Sequence, residues 1–339
     1  MLFKKNYKNF VLVFVLGMTA VLTVVLLSLS GCQCLRHTRK QALPGFISQE
    51  LKKEEQIEIF LVGDIMLDRG VEWYIRQNND WRFPFLKIAD ELKKADLVFG
   101  NLEGPISDKG ERVGSIYSFR ADPKVIEGLA YAGFDILSLA NNHMLDYQRV
   151  ALEDTMARLK ENGIDYVGAG FNREEAFSMK IKEIKGTKIG FLGYTNLGPE
   201  VWSAGEDYAG VAWISWDDIE RIKEDIKKAK EKVDILIVSL HAGQEYSEEP
   251  TVFQKSFSQN VIEAGADLVV GHHPHVVQQF IKHKHGWIAY SLGNFVFDQG
   301  FSEETMRGRL LKVIIENKKI KQVIPVKIQL NHFFQPEIL

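Results

Sequence analysis

The feature that most constrains how this chain folds is a repeated unit, a short apolar run that stops abruptly at a polar, chemically capable residue. It occurs as IEIFLVGDIMLD (57–68), ADLVFGNLE (95–103), FDILSLANNH (134–143), VDILIVSLHAG (233–243), ADLVVGHHPH (266–275) and WIAYSLGNFVFD (287–298). Runs of this kind read as buried strands, each followed by a loop. Amphipathic segments of helix length lie between several of them, most clearly at 147–162, 217–231 and 252–264. Two further stretches, IKEIKGTKIGFLGYT (181–195) and LLKVIIENKKIKQVIPVKIQL (310–330), read as antiparallel hairpins around polar turns. Strands alternating with helices predict an α/β architecture, to which the hairpins add antiparallel strands and a second sheet.

The polar residues follow the apolar runs directly: Asp64, Asn101 and Glu103, Asn141 to His143, His241, His272 to His275, and Asn294. Ligands of an α/β sheet gather outside the carboxyl ends of its strands. Distant parts of the chain are thus expected to converge on one rim. The densest of these clusters places three of the nine histidines within four positions. Pro274 disfavours the helical region for the residue before it, which predicts an extended segment with His273 and His275 on one face. Neutral imidazole is a common metal ligand, and carboxylate and amide oxygens join it here. Such a mixed set suits Mn, Fe or Zn better than an all-oxygen ion. The candidate ligands are Asp64, Asn101, Glu103, Asn142, His143, His241, His273 and His275, enough for one or two divalent ions. Two-metal sites clamp a phosphoryl group while activating water.

Composition sets the boundaries of this reading. The 339 residues, 45% apolar and 26% charged with a net charge of −3, suffice for one large domain or two smaller ones. No basic cluster marks the body, so a nucleic-acid partner is not expected. Cys32 and Cys34 are the only cysteines, which leaves the body without a disulfide. Lys4, Lys5 and Lys8 precede an apolar run from Phe10 to Leu29 that ends in Leu29-Ser30-Gly31-Cys32. Residues 1–31 therefore read as an export signal whose ending resembles a bacterial lipobox, with Cys32 lipidated. An uncleaved transmembrane anchor is the alternative. Either way, residues 32–56 form a linker, and the body, 57–339, is expected on the extracytoplasmic side of the cell membrane.

Six motifs in order, VGDIMLDRG, GNLEGPI, LANNHMLDY, SLHAGQEY, GHHPHVVQ and YSLGNFVFD, resemble the CapA-type poly-γ-glutamate capsule biosynthesis proteins, relatives of the calcineurin-like metallophosphatases. The resemblance covers about residues 57–300. It implies a sandwich of two mixed β-sheets flanked by helices, in four layers, and puts Asp64, Glu103, Asn142, His241, His273 and His275 on or near metal positions. It also implies that His143 assists the leaving group or transition state. Two departures stand out. Met66 occupies the place of a histidine in the first motif, and Asn101 that of a bridging aspartate in the second. A thioether is a poor ligand for a hard ion. Either Asp68 and Glu103 take over those places, or the site holds a single ion.

Substrate contacts are expected from Asn101, Arg120, Glu245, His272 and Asn294, with Arg120 offering a guanidinium fork to an anionic group. Trp202, Trp213 and Trp216 are expected in a partly buried loop region, and His283 and His285 at a polar hairpin turn. Two functions follow. One is a membrane-tethered, metal-dependent hydrolase or transferase with His143 as proton donor. The other is a non-catalytic, metal-stabilised component of a membrane synthesis and export complex that binds a polyanionic polymer such as poly-γ-glutamate.

Overall fold

The computed structural model describes residues 56–339. The expected signal or anchor at 1–31, the lipidation site Cys32 and nearly all of the linker lie outside the described residues. Two mixed sheets carry the fold. The first runs in the order β16 (Pro336–Ile338), β15 (Lys319–Leu330), β14 (Arg307–Glu316), β1 (Ile57–Ile65), β2 (Leu97–Leu102), β3 (Ile136–Ser138) and β4 (Asp165–Val167). The short strand β13 (Asn294–Val296) pairs parallel to the end of β1. The second sheet runs β11 (Phe280–His283), β12 (Gly286–Ala289), β10 (Leu268–His272), β9 (Ile235–His241), β7 (Thr187–Thr195) and β6 (Lys180–Ile184). A two-residue ladder, β5 (Ala169–Gly170) with β8 (Gly210–Val211), stands apart.

Alternation along each central strand shows why these runs are apolar throughout. On β1, Ile57, Ile59 and Leu61 face the second sheet, while Phe60 and Val62 face the helices. On β9, Ile235 and Ile237 point into the sandwich, and Leu236, Val238 and Leu240 point out. A parallel strand covered on both sides has no wet face, so the polar half of the period-two pattern disappears. Phe99 and Phe191 stack across the interior at 5.5 Å, joining the two sheets. Outside the first sheet lie α1 (Arg69–Asn78), α2 (Ile126–Ala132) and α3 (Gln148–Glu161); outside the second lie α4 (Ile219–Lys230) and α5 (Val252–Glu263). This is the expected four-layer α/β sandwich, and α3, α4 and α5 sit within the predicted helical segments.

Both predicted hairpins form, each at the edge of a different sheet. The β6–β7 turn uses Lys185 and Gly186 at φ 48° and 73°, and the β14–β15 turn uses Asn317 and Lys318 at 53° and 62°. Paired left-handed residues give the turn twist that two-residue hairpins prefer. Two glycines bring strands together just before the polar residues. A Cβ on Gly63 would lie 1.9 Å from the Gly293 carbonyl oxygen, and one on Gly271 would lie 1.9 Å from that of Tyr290. Only glycine permits such backbone approach. Among the described residues, no helix is long and apolar enough to cross a membrane.

Candidate metal centre

The carboxyl ends of β1, β2, β3, β9 and β10 meet at one place between the sheets. Asp64, fully buried near the end of β1, is its hub. Its Oδ1 accepts from Asn101 Nδ2 at 2.8 Å, and its Oδ2 accepts from the His273 backbone N–H at 3.2 Å. The Nδ1 atoms of His272 and His275 each lie 3.3 Å from an Asp64 oxygen. Asn101 Nδ2 also approaches Glu103 Oε2 and His241 Nδ1, both at 3.3 Å. His241 Nε2 meets Asn142 Oδ1 at 2.8 Å. The structure therefore brings together all six residues that the resemblance puts on or near metal positions.

Two overlapping donor groups emerge. Glu103, His273 and His275 each place one ligand atom within 4.8 Å of the others, and so do Asp64, Glu103 and His241. Glu103 belongs to both. Its Oε1 and the Nδ1 of His273 are buried with no hydrogen-bond partner among the described residues. An unpaired buried polar atom costs on the order of 1–3 kcal/mol, which a bound cation would remove. Imidazoles with buried carboxylates form a donor set that fits a divalent transition ion.

Electrostatics agree with this fit. Burial pushes the Asp64 carboxyl up, but His272 and His275 beside its oxygens outweigh that and hold it well below the usual range. Burial, then the charges of Asp64 and Glu245, push Glu103 well above its ordinary value. Burial, then His273, hold His241 well below the ordinary imidazole value. Burial, then His275, lower His273 to about 3. Both rings are neutral near pH 7 and keep a lone pair for a metal. A cation held by these residues would offset the charge repulsion that, after burial, raises Glu103.

His143 lies at the mouth. Its Nδ1 is 2.7 Å from Asp146 Oδ2, which also accepts the Phe119 backbone N–H at 2.9 Å. The carboxylate is an acceptor, which assigns the proton to Nδ1 and leaves Nε2 facing Glu103 Oε1 at 3.9 Å. The His143 backbone N–H donates to Asn141 Oδ1 at 3.1 Å, and Asn141 Nδ2 donates to the Leu102 carbonyl at 2.8 Å. Sequence reasoning left Asp146 without a role, although an acidic residue three positions after a histidine in a turn is a usable signal.

Several expectations change. His273 and His275 converge through left-handed backbone, at φ 95° and 58°, and not through an extended segment. Strained conformations of this kind cluster at functional sites because the surroundings must enforce them. Asp68 does not replace a ligand, since its Oδ1 caps α1 through Arg69 N at 2.7 Å and its Oδ2 accepts Arg120 N at 2.8 Å. Met66 is buried, and its sulfur faces the Asp68 N–H at 3.1 Å. Asn101 and Asn294 are fully buried and contact the candidate ligands Asp64 and His275. His272, equally buried, stands 3.3 Å from Asp64 with both ring nitrogens lacking a hydrogen-bond partner among the described residues. None of the three has an open face for substrate. Asn294 Oδ1 meets His275 Nδ1 at 3.1 Å, and its amide donates to Gln299 and the Thr305 carbonyl. The Arg120 guanidinium is committed to the Lys109 and Gly110 carbonyls and stacks on Tyr147. Glu245 is exposed. Trp202 and Trp213 are half-buried, while Trp216 is exposed and packs its ring against Phe253 of α5. His283 pairs with Glu263 at 3.0 Å at its hairpin.

In metal-free protein these groups predict an acid-sensitive fold. Unfolded imidazole binds its proton near pH 6.5, whereas folded His273 resists until about 3 and His241 shifts the same way. Stability contributed by both is present above about 6.5 and is lost as pH falls. Glu103 runs the other way, because its raised carboxyl keeps a proton that the unfolded chain releases above about 4.5. Two imidazoles against one carboxyl leave a net loss of stability as pH falls from about 6.5 to 5. Denaturant midpoints of chelator-treated protein at the two ends of that window check this; an unchanged or higher midpoint at the acidic end would contradict it.

Comparison with known proteins gives the family of the chain. The family model for "Bacterial capsule synthesis protein PGA_cap" matches residues 58–299. The "Capsule biosynthesis protein CapA" of Bacillus anthracis is 34% identical over 289 residues, covering 82% of this chain and 69% of that protein. The "PGA biosynthesis protein CapA" of Bacillus subtilis is 32% identical, covering 74% and 65%. This chain thus spans about two thirds of the length of these relatives. Among solved structures, a phosphatase from Mycoplasma pneumoniae aligns with TM-score 0.48 and 17% identity over 81% of this chain and 94% of that one. The family match spans well over half of the chain and the nearer relatives exceed 30% identity: the chain belongs to the bacterial capsule synthesis protein family PGA_cap.

Proposed function

We propose that this protein is a membrane-tethered, extracytoplasmic, metal-dependent hydrolase or transferase acting in poly-γ-glutamate capsule biosynthesis or export. Tethering would come from lipid on Cys32 or from the apolar segment before it. The observation that carries the reading is Glu103. It is a buried carboxylate shared by two donor groups, with an unpartnered oxygen 3.9 Å from His143 Nε2. Asp64, Glu103, Asn142, His241, His273 and His275 would hold one or two divalent ions of the Mn, Fe or Zn class. Bound ions of this type polarise a phosphoryl or acyl oxygen and make water a better nucleophile. The chain's own part is to hold that site dry and to move a proton at His143 Nε2 while Asp146 fixes the ring. Its partners would be the polymer and the membrane synthase complex.

A second reading, a non-catalytic polymer-binding component, is favoured by one observation: Met66 and Asn101 stand where ligands are expected. Elemental analysis of the full-length chain in detergent, paired with phosphodiester turnover before and after chelation, separates the two. About two metal equivalents and turnover restored by Mn, Fe or Zn support the enzyme. One equivalent or none, with no turnover, supports the binding component.

A further inference from the structure

Arg69 opens α1 in a left-handed conformation, φ 52°, that a residue with a side chain rarely adopts. That backbone turns its guanidinium onto Asp298, with Nε 3.2 Å from Oδ2 and Nη2 closing on Oδ1. The Gly70 N–H also donates to Asp298 Oδ2, at 2.9 Å. A helix cap alone does not explain this, because Asp68 already caps α1. The guanidinium lies 4.8 Å from the Phe119 ring centre and 5.9 Å from that of Phe297. Phe119 sits 4.2 Å from the His143 ring, and Phe297 sits 4.7 Å from the His275 ring. One aromatic wall therefore touches the proton-handling histidine, a candidate ligand and this cation.

Among the described residues, the cations of the 104–120 segment are already engaged. Arg120 and Arg112 donate to backbone carbonyls, and Lys109 pairs with Asp154. Arg69 commits Nε and one Nη2 hydrogen to Asp298, which leaves its Nη1–Nη2 edge, and among the described residues Nη1 has no hydrogen-bond partner. Its side chain remains 34% exposed, so a ligand can reach it. A guanidinium edge in such a place suits two-point recognition of an oxyanion.

We propose that Arg69 is the oxyanion-binding residue of this site, its free edge receiving a phosphoryl or carboxylate oxygen of the substrate while Asp298 holds the fork in position. The inference rests on the metal-centre reading above.

The test uses full-length, metal-loaded protein titrated calorimetrically with inorganic phosphate and, separately, with glutarate. Arg69→Gln is expected to keep its metal content and thermal midpoint and to weaken the bound probe about 10- to 100-fold. Arg69→Lys, which keeps the charge but not the fork, should recover only part of that loss. A loss confined to phosphate identifies a phosphoryl group, a loss confined to glutarate a carboxylate, and equal losses a shared oxyanion site. Wild-type affinity in Arg69→Gln at unchanged metal content overturns the inference and leaves the metal centre standing. Wild-type protein that holds metal but binds neither probe also overturns it. Wild-type protein that holds no metal removes the underlying reading as well.

Discussion

Replacing His143 with alanine is expected to leave the bound metal in place and to lower turnover by about 10²- to 10⁴-fold, the range for a lost general acid or base. The expectation comes from where each ring nitrogen sits. Nδ1 is occupied by Asp146 at 2.7 Å, and Nε2 faces Glu103 Oε1 at 3.9 Å, beyond hydrogen-bond length. His143 belongs to neither of the two close donor groups. It is 7% exposed, at the rim, whereas Asp64 and His241 are wholly enclosed. A ring held by a carboxylate on one side and open on the other can move a proton without holding the ion. Asp146→Asn should change turnover in the same direction, since the amide offers a donor where Nδ1–H needs an acceptor. Initial rates alongside elemental analysis decide the matter. Lost metal would make His143 a ligand, and unchanged turnover would favour the polymer-binding reading.

The sequence revealed the scaffold more fully than the chemistry. β1, β9 and β10 are readable because both of their faces are buried, so their residues are apolar almost without interruption. The hairpin turns are readable from Lys185-Gly186 and Asn317-Lys318, which carry the local twist in their own backbone. The convergence of Asp64, Glu103, His241 and His273 followed from their common position after strand ends. The division of labour among them did not. Whether Asp68 joins Glu103 in taking over the lost ligand places depends on a helix cap that no spacing reveals. The His273-Pro274-His275 turn defeats local reasoning because tertiary contacts, including the His273 N–H to Asp64 bond, enforce a conformation the residues disfavour alone. Arg69 reads as an ordinary helix-start residue until Asp298, 229 positions away, is seen beside it.

Asp64→Ala is expected to abolish stoichiometric metal binding and to lower stability by about 2–4 kcal/mol. The two effects come from one residue through separate causes. Asp64 is clamped between neighbouring strands, in register with Asn101 on one side and Asn294 on the other, so nothing can slide in to replace it. Without its carboxylate, the Asn101 amide and the His273 N–H lose buried acceptors, each at roughly 1–3 kcal/mol. The metal is lost for a different reason, because a buried negative charge flanked by His272 and His275 disappears. Asp64→Asn separates these contributions. The isostere keeps an oxygen that can accept from one neighbour, so it should retain more of the fold while metal affinity still falls by more than about 100-fold, beyond the range seen for lost supporting contacts. Denaturant unfolding and metal titration of both variants give the two readouts. An Asp64→Ala protein that holds metal like wild type would mean the ion sits elsewhere, and the grouping of Glu103 with both histidine sets would then need another explanation. Loss of metal in both variants with a graded loss of stability would place Asp64 at the junction of fold and chemistry, where one carboxylate orders the strand ends and binds the ion.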